Sequence, residues 1–217
     1  MNSTHLCDIQ HHRCVSTAQR LATLCFLGII HVAHAAEIAP ADTIPPTVSR
    51  KLPGDSVYQL SVPLVDQAAR EFSLDRFRGK PLLVTMFYSH CPFVCPRIVE
   101  SLKKTEAALP IAVRNKVPVL MVSFDIARDD PTALKALAVE RHIDTNVWTL
   151  ARSDAAHTRK LAAILGIQYR ELGGGDFNHT SVLLLLDRDG RIVGKTFEIG
   201  GIDPAFVKLV AKTTARD

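Results

Sequence analysis

Leu82-Leu83-Val84-Thr85-Met86-Phe87-Tyr88-Ser89-His90-Cys91-Pro92-Phe93-Val94-Cys95-Pro96 decides how the chain is read. Five apolar residues (Leu82, Leu83, Val84, Met86 and Phe87) have the length and composition of a buried strand, and Arg97 to Leu109 follow with helical periodicity. Two cysteines, Cys91 and Cys95, therefore stand where a strand ends and a helix begins. The unpaired N–H groups and positive dipole end of a helix favour thiolate over thiol, so the position is a reactive one. Pro92 and Pro96 suit it, because proline is tolerated in a first turn and spoils a helix interior.

Toward the N-terminus, Val57 to Val62 alternates like a strand that Pro63 closes. Phe72-Ser73-Leu74 and then Arg78-Gly79-Lys80-Pro81 read as a short strand and a turn. Residues 37–53 contain Pro40, Pro45, Pro46 and Pro53 with no apolar period, the composition of a linker. Before them, Arg13 and Arg20 precede an apolar run from Leu21 to Val32 that closes on Ala33-His34-Ala35-Ala36, the pattern of a secretory signal peptide. The run is about a dozen residues, short of the ~20 that span a bilayer, so cleavage after Ala35 or Ala36 is expected. An uncleaved run would instead anchor the chain. The predicted organisation is a signal peptide over 1–36, a linker over 37–53 and one domain over 54–217, exported to the periplasm.

Cleavage removes Cys7, Cys14 and Cys25 and leaves Cys91 and Cys95 as the only cysteines, with His90, His142, His157 and His179 as the only histidines. An exported protein with a single close cysteine pair is not a disulfide-stapled scaffold. The pair reads as a redox couple or a metal site. The 217 residues are 47% hydrophobic, as in ordinary globular proteins, and the formal charge is +4 with 26 basic residues scattered along the chain. That distribution argues against a nucleic-acid partner.

Toward the C-terminus, Val119 to Phe124 reads as a buried strand ending at Asp125, and Arg128-Asp129-Asp130-Pro131 as the start of a helix running to about His142. Val147 to Leu150 is a short strand, and Ser153 or Asp154 can cap a helix that ends at Gly166. Gly173-Gly174-Gly175 opens a flexible connection. Thr180 to Leu186 and Arg191 to Phe197, joined through Asp187-Arg188-Asp189-Gly190, form a predicted hairpin, and Asp203-Pro204 starts a last helix to about Thr214. Strands alternating with helices, then a hairpin and a closing helix, predict an α/β domain of three layers with a mixed sheet. That order resembles the thioredoxin fold.

Cysteines four apart can bring their sulfurs together with or without a metal, so the spacing alone does not choose between disulfide exchange and metal binding. In thioredoxin-like oxidoreductases the region before the hairpin strand carries a proline packed against the cysteines. Here no proline occurs from Ile167 to Asp203, and His179 stands in that region. Imidazole beside two thiolates favours Cu or Zn binding over plain exchange. A closed structural zinc site uses four ligands, and only three good ones are visible. Asp125, at a strand end, is expected close to the site. His90 is a weaker ligand candidate, His142 and His157 are read as solvated, and Met86 and Met121 as core.

Cys91-Pro92-Phe93-Val94-Cys95-Pro96, Ser123-Phe124-Asp125-Ile126-Ala127-Arg128-Asp129-Asp130-Pro131 and Asp176-Phe177-Asn178-His179-Thr180 together resemble the Sco/SenC family of copper-binding, thioredoxin-like proteins. The resemblance spans roughly Val57 to Lys212. It implies that Cys91, Cys95 and His179 bind copper as Cu(I) or Cu(II), and that the chain helps assemble the copper centre of a client such as cytochrome c oxidase subunit II. Phe93 stands where the family often has Asp, Ile126 where it often has Pro, and Asn178 where Asp is common. The expected function is that of an assembly factor rather than a turnover enzyme, with a thiol reductase or a copper donor as a further partner. The alternative is a thiol:disulfide oxidoreductase in which Cys91 and Cys95 keep a client's cysteines reduced.

Overall fold

A computed structural model of the chain describes residues 51–215. The expected signal peptide and the linker up to residue 50 lie outside the described residues. Val57–Gln59 form a turn of 3-10 helix rather than the start of a strand, because the Ser56 hydroxyl caps it by accepting from the Tyr58 N–H. Pro63 opens the first strand instead of closing one: β1 is Pro63–Asp66 and β2 is Glu71–Ser73. Proline is tolerated as the first residue of a strand, which is where it stands. Then follow β3 (Leu82–Phe87), α1 (Val94–Ala108), a single turn α2 (Ile111–Arg114), β4 (Val119–Ser123), α3 (Pro131–Glu140), β5 (Trp148–Arg152) and α4 (Ala155–Leu165). The chain continues through β6 (Tyr169–Glu171), β7 (Phe177–His179), β8 (Leu183–Leu186), β9 (Ile192–Thr196) and α5 (Pro204–Thr214).

Seven strands form one mixed sheet in the order β2-β1-β5-β4-β3-β8-β9. β3, β4 and β5 run parallel, and the flanking pairs are antiparallel. The three central strands need no alternation because β3 and β4 are buried along their whole length, as parallel strands covered on both faces are. The one polar side chain of β3, Thr85, satisfies its hydroxyl by donating to the Val182 carbonyl at 2.8 Å.

From β3 to β4 and from β4 to β5 the chain steps the same way across the sheet, so right-handed crossovers put α1 and α3 on one face. Lys103 Nζ on α1 accordingly donates to the Arg141 and His142 carbonyls just beyond α3. α1 presses Ile98, Val99 and Leu102 into the core. Truncating one of the large aliphatic residues there to alanine costs about 2–5 kcal/mol. Asp130, Asp154 and Asp203 each cap a helix by accepting from N–H groups of its first turn, at Ala133, His157, and Ala205 with Phe206. Among the described residues no helix is long and apolar enough to cross a membrane.

β3 and β4 end side by side, with Phe87 opposite Ser123. The segments that leave them, Tyr88 to Phe93 and Phe124 to Asp130, therefore emerge at one edge of the sheet. β6 and β7 form a separate two-stranded ribbon with Tyr169 opposite His179. It occupies the stretch read from sequence as a flexible connection.

Candidate metal centre

Cys91 precedes α1 and Cys95 lies in its first turn, so the helix begins earlier than its periodicity suggested. The Cys91 N–H donates to the Tyr88 carbonyl at 3.4 Å, and the Val94 N–H donates to Cys91 Sγ at 3.3 Å. Both thiols are reduced and buried, with exposures of 6% and 5%. The Cys91 thiol is pulled down to about 4, chiefly by the hydrogen bond from the Cys95 thiol and then, against the cost of burial, by the backbone N–H groups of Cys95, Phe93 and Val94. The same hydrogen bond, reinforced by burial, pushes Cys95 far up. One proton is thus shared by two sulfurs, and it resides on Cys95.

His179 reaches this pair from β7. A ligand atom from each of Cys91, Cys95 and His179 falls within 4.8 Å of the others. The imidazole is half-buried and sits among rings: Phe124 at 5.0 Å, and Tyr88 edge-on at 5.9 Å. Phe124 also stacks on Tyr169 at 5.0 Å and meets Phe177 at 5.1 Å. Such aromatic pairs contribute about 0.5–1.5 kcal/mol each beyond the area they bury. They hold the ribbon, and His179 with it, against the loops that leave β3 and β4. Tyr88 belongs to both parts: its hydroxyl bonds to the Cys91 sulfur and to the Phe177 backbone, and burial together with the Cys91 contact pushes it up to about 12.

Asp125 is near the site, as its strand-end position suggested, but its carboxylate is engaged by Arg128, whose Nε lies 2.5 Å away. The same guanidinium donates from Nη2 to the Gly175 carbonyl, clamping the tip of the ribbon. Gly175 has φ +81°, and a Cβ there would lie 2.8 Å from Arg128 Nη1, so glycine is what permits this approach.

The carboxylate that contacts the cysteine loop is Asp129, to which the sequence gives a helix start and a place in the family motif but no role at the site. It is fully buried and accepts from the Ser89 N–H at 2.9 Å, from the Ser89 hydroxyl, and from the Ser123 hydroxyl at 2.5 Å. A signal for it was present: Asp129 and Asp130 adjoin, only one is needed as the cap, and the cap is Asp130. His90 completes a second group of possible ligands with Asp125 and Asp129. The two carboxylates of that group are already engaged by Arg128 and the serines.

The remaining expectations fall as follows. His142 is exposed just past α3, and His157 pairs with Asp154 at 2.5 Å rather than standing free in solvent. Met86 and Met121 are core residues. Phe93 and Ile126, two of the departures from the family pattern, are exposed, Phe93 at 77%. Asn178 is exposed as well.

Chemically, the centre offers two sulfurs and one imidazole nitrogen. Soft thiolates suit Cu(I), and an added imidazole suits Cu(II), so the donor set fits a single copper ion. The adjacent sulfurs also suit formation and exchange of a disulfide, with Cys91 the thiolate.

A family model described as SCO1/SenC matches residues 54–211. A Stutzerimonas stutzeri protein named as a candidate copper-binding protein is 29% identical over 72 residues, covering 33% of this chain and 35% of that one. Protein SenC of Rhodobacter capsulatus is 30% identical over 121 residues, 54% of each chain. The chain thus spans about a third and about half of the lengths of these two relatives. In structure it is similar to Bradyrhizobium japonicum ScoI with copper bound, with a TM-score of 0.59 and 23% identity over 72% of this chain and 97% of that one. That likeness places the domain among thioredoxin-like α/β folds. With the family model covering most of its length, the chain belongs to the SCO1/SenC family.

Proposed function

We propose that the chain carries one copper ion on Cys91, Cys95 and His179 and delivers it to an exported cuproprotein such as cytochrome c oxidase subunit II. The observation that carries this reading is the meeting of two buried sulfurs and one imidazole nitrogen within 4.8 Å. Copper in the names of a relative and of a structural neighbour supports it. Copper is cargo here, so the residues do three things: the sulfurs grip it, the imidazole extends the grip to the harder oxidation state, and the rings around His179 keep that nitrogen in place. The proposed organisation is a signal peptide over 1–36, a linker over 37–53 and a copper-carrying domain over 54–217, working in the periplasm, or tethered to the membrane if the signal stays.

A second reading has its own observation. The hydrogen bond from the Cys95 thiol to the Cys91 sulfur is the arrangement of an attacking thiolate beside its resolving partner, which suits a thiol:disulfide oxidoreductase acting on a client's cysteines.

His179→Ala separates the two. Thiolate attack on a disulfide needs no imidazole, whereas Cu(II) needs a harder donor than sulfur. The variant is expected to lose Cu(II) and its thiolate-to-copper absorption, and to fail in a deletion strain that needs oxidase assembly, while Cys91 and Cys95 still exchange a disulfide. Full rescue by His179→Ala would replace copper delivery with the reductase reading.

A further inference from the structure

The ribbon that carries His179 has two edges, and they are finished differently. The Thr180 N–H donates to the Gln168 carbonyl at 2.8 Å and the Leu172 N–H to the Asp176 carbonyl at 2.7 Å, which sets the phase of the antiparallel ladder. Opposed residues alternate between hydrogen-bonded and non-hydrogen-bonded pairs. Arg170 and Asn178 therefore bond to each other, while Tyr169 with His179, and Glu171 with Phe177, turn their main-chain groups outward. On the β7 side the outward Phe177 N–H meets the Tyr88 hydroxyl, in agreement with that phase. On the β6 side, no described residue outside the ribbon bonds to the backbone N–H or C=O of Tyr169 or Glu171.

That open edge borders a cleft of about 280 Å³. Its other walls come from Ile126 and Ala127, which follow β4, and from Ala155 and Arg159, which follow β5. It thus lies outside the carboxyl ends of the parallel strands, where open α/β sheets bind their ligands. Phe124 and Phe177 supply apolar surface, and the two alanines leave the width. Of the charges that line it, Asp125 is engaged by Arg128, and Glu171 stands alone against Arg159 and Arg170. Neither of those two guanidinium groups has a hydrogen bond or ion pair to a described residue, so the cleft is left with an excess of positive charge. The volume falls below the ~300–1,000 Å³ that encloses a whole small-molecule ligand. A row of outward main-chain groups suits instead an extended polypeptide, which joins a sheet edge as a further strand.

We propose that β6 is the docking edge for the protein that receives the copper. An extended segment of that client pairs with Tyr169 and Glu171, lays an apolar side chain toward Phe124 and Ile126, and turns an acidic one to Arg159. The inference deepens the copper-delivery reading and rests on it. Tyr169 stands opposite His179 and stacks on Phe124, which also touches the imidazole, so only β6 separates the docked segment from the strand that bears the nitrogen donor.

The test titrates the metal-free chain with the metal-free soluble domain of cytochrome c oxidase subunit II and follows backbone amides by nuclear magnetic resonance. In the wild type, binding should slow exchange of the Tyr169 and Glu171 amides by about tenfold or more, as a new net hydrogen bond does. Glu171→Pro removes an outward N–H and keeps the bonds to β7, because proline is tolerated where the N–H faces away from the ladder. It should weaken binding about tenfold, with the Arg170 and Asn178 amides still protected. Glu171→Gln keeps the N–H and should bind at least as well as the wild type, and Arg159→Glu should weaken binding about tenfold. All three variants should hold copper as the wild type does. Wild-type affinity in Glu171→Pro, unchanged Tyr169 and Glu171 amides in the complex, or no binding by the wild type would each overturn the proposal. Copper retained by Cys91→Ser would remove the copper reading instead, an outcome read without the client domain.

Discussion

The Asp129 carboxylate accepts the Ser89 backbone N–H at 2.9 Å, fastening the turn that bears Cys91 to the loop that follows β4. Two segments that leave adjacent parallel strands are thereby locked to each other beneath the site. Asp129→Ala leaves the Ser89 N–H and two serine hydroxyls without their acceptor, and a lost hydrogen bond to a charged group is worth about 1.5–3 kcal/mol. The variant should be less stable by about 3 kcal/mol in urea titrations, and the Ser89 amide should exchange faster than in the wild type. An unchanged midpoint would show that the lock is dispensable.

Cys91 and Cys95 should titrate in opposite senses. With Cys91 down near 4 and Cys95 pushed up, the metal-free protein carries a Cys91 thiolate at every pH from about 5 upward, and Cys95 stays a thiol. Alkylation should therefore fall on Cys91, and its rate should stay nearly flat between pH 6 and pH 8, where an ordinary thiol speeds up about a hundredfold. Peptide mass spectrometry after timed alkylation reads both. A steep rise across that range would mean that the shared proton does not favour Cys95.

Arg128 connects Asp125 to the Gly175 carbonyl and so holds the ribbon that bears His179. Arg128→Ala should quicken amide exchange over residues 169–179 and weaken Cu(II) by about tenfold, the equivalent of one charge-assisted hydrogen bond. Disulfide formation between Cys91 and Cys95 should be largely unaffected, since the bond between the sulfurs and the Val94 N–H bond to Cys91 both lie at the start of α1 and outside the ribbon.

Phe124 touches Tyr88, Tyr169, Phe177 and His179 at ring-centroid distances from 5.0 to 5.5 Å. Phe124→Ala should cost about 3–5 kcal/mol and weaken Cu(II) binding together with stability. Phe124→Leu, which keeps most of the volume, should recover much of both. Thermal melts with and without copper measure the two effects together.

What the sequence disclosed follows from where each signal is local. β3, β4 and the helix caps at Asp130, Asp154 and Asp203 announce themselves through continuous apolar runs and through Asp-Pro or Asp-Ala openings. Cys91, Cys95 and His179 were likewise visible as chemistry. The alternation from Val57 to Val62 misled because Ser56 converts it to a capped turn, so the strand starts only at Pro63. β6 and β7, at three residues each, are too short for any periodicity and exist because rings from elsewhere in the chain pack on them. Asp129 and Arg128 act across the fold on Ser89 and Gly175, and no window of sequence contains both ends of those bonds.

Because, among the described residues, β7 pairs only with β6, the imidazole nitrogen reaches the sulfurs through tertiary assembly, whereas the two sulfurs are neighbours in the sequence. An unfolded chain offers a loose dithiol and nothing more, so the complete three-donor grip is a property of the finished domain. Occupancy and folding are then one linked equilibrium, in which a ligand that prefers the native state draws the population toward it. On the copper reading proposed above, half-made molecules are poor hosts, and pairing of the ribbon makes completion of the fold a condition for holding the ion.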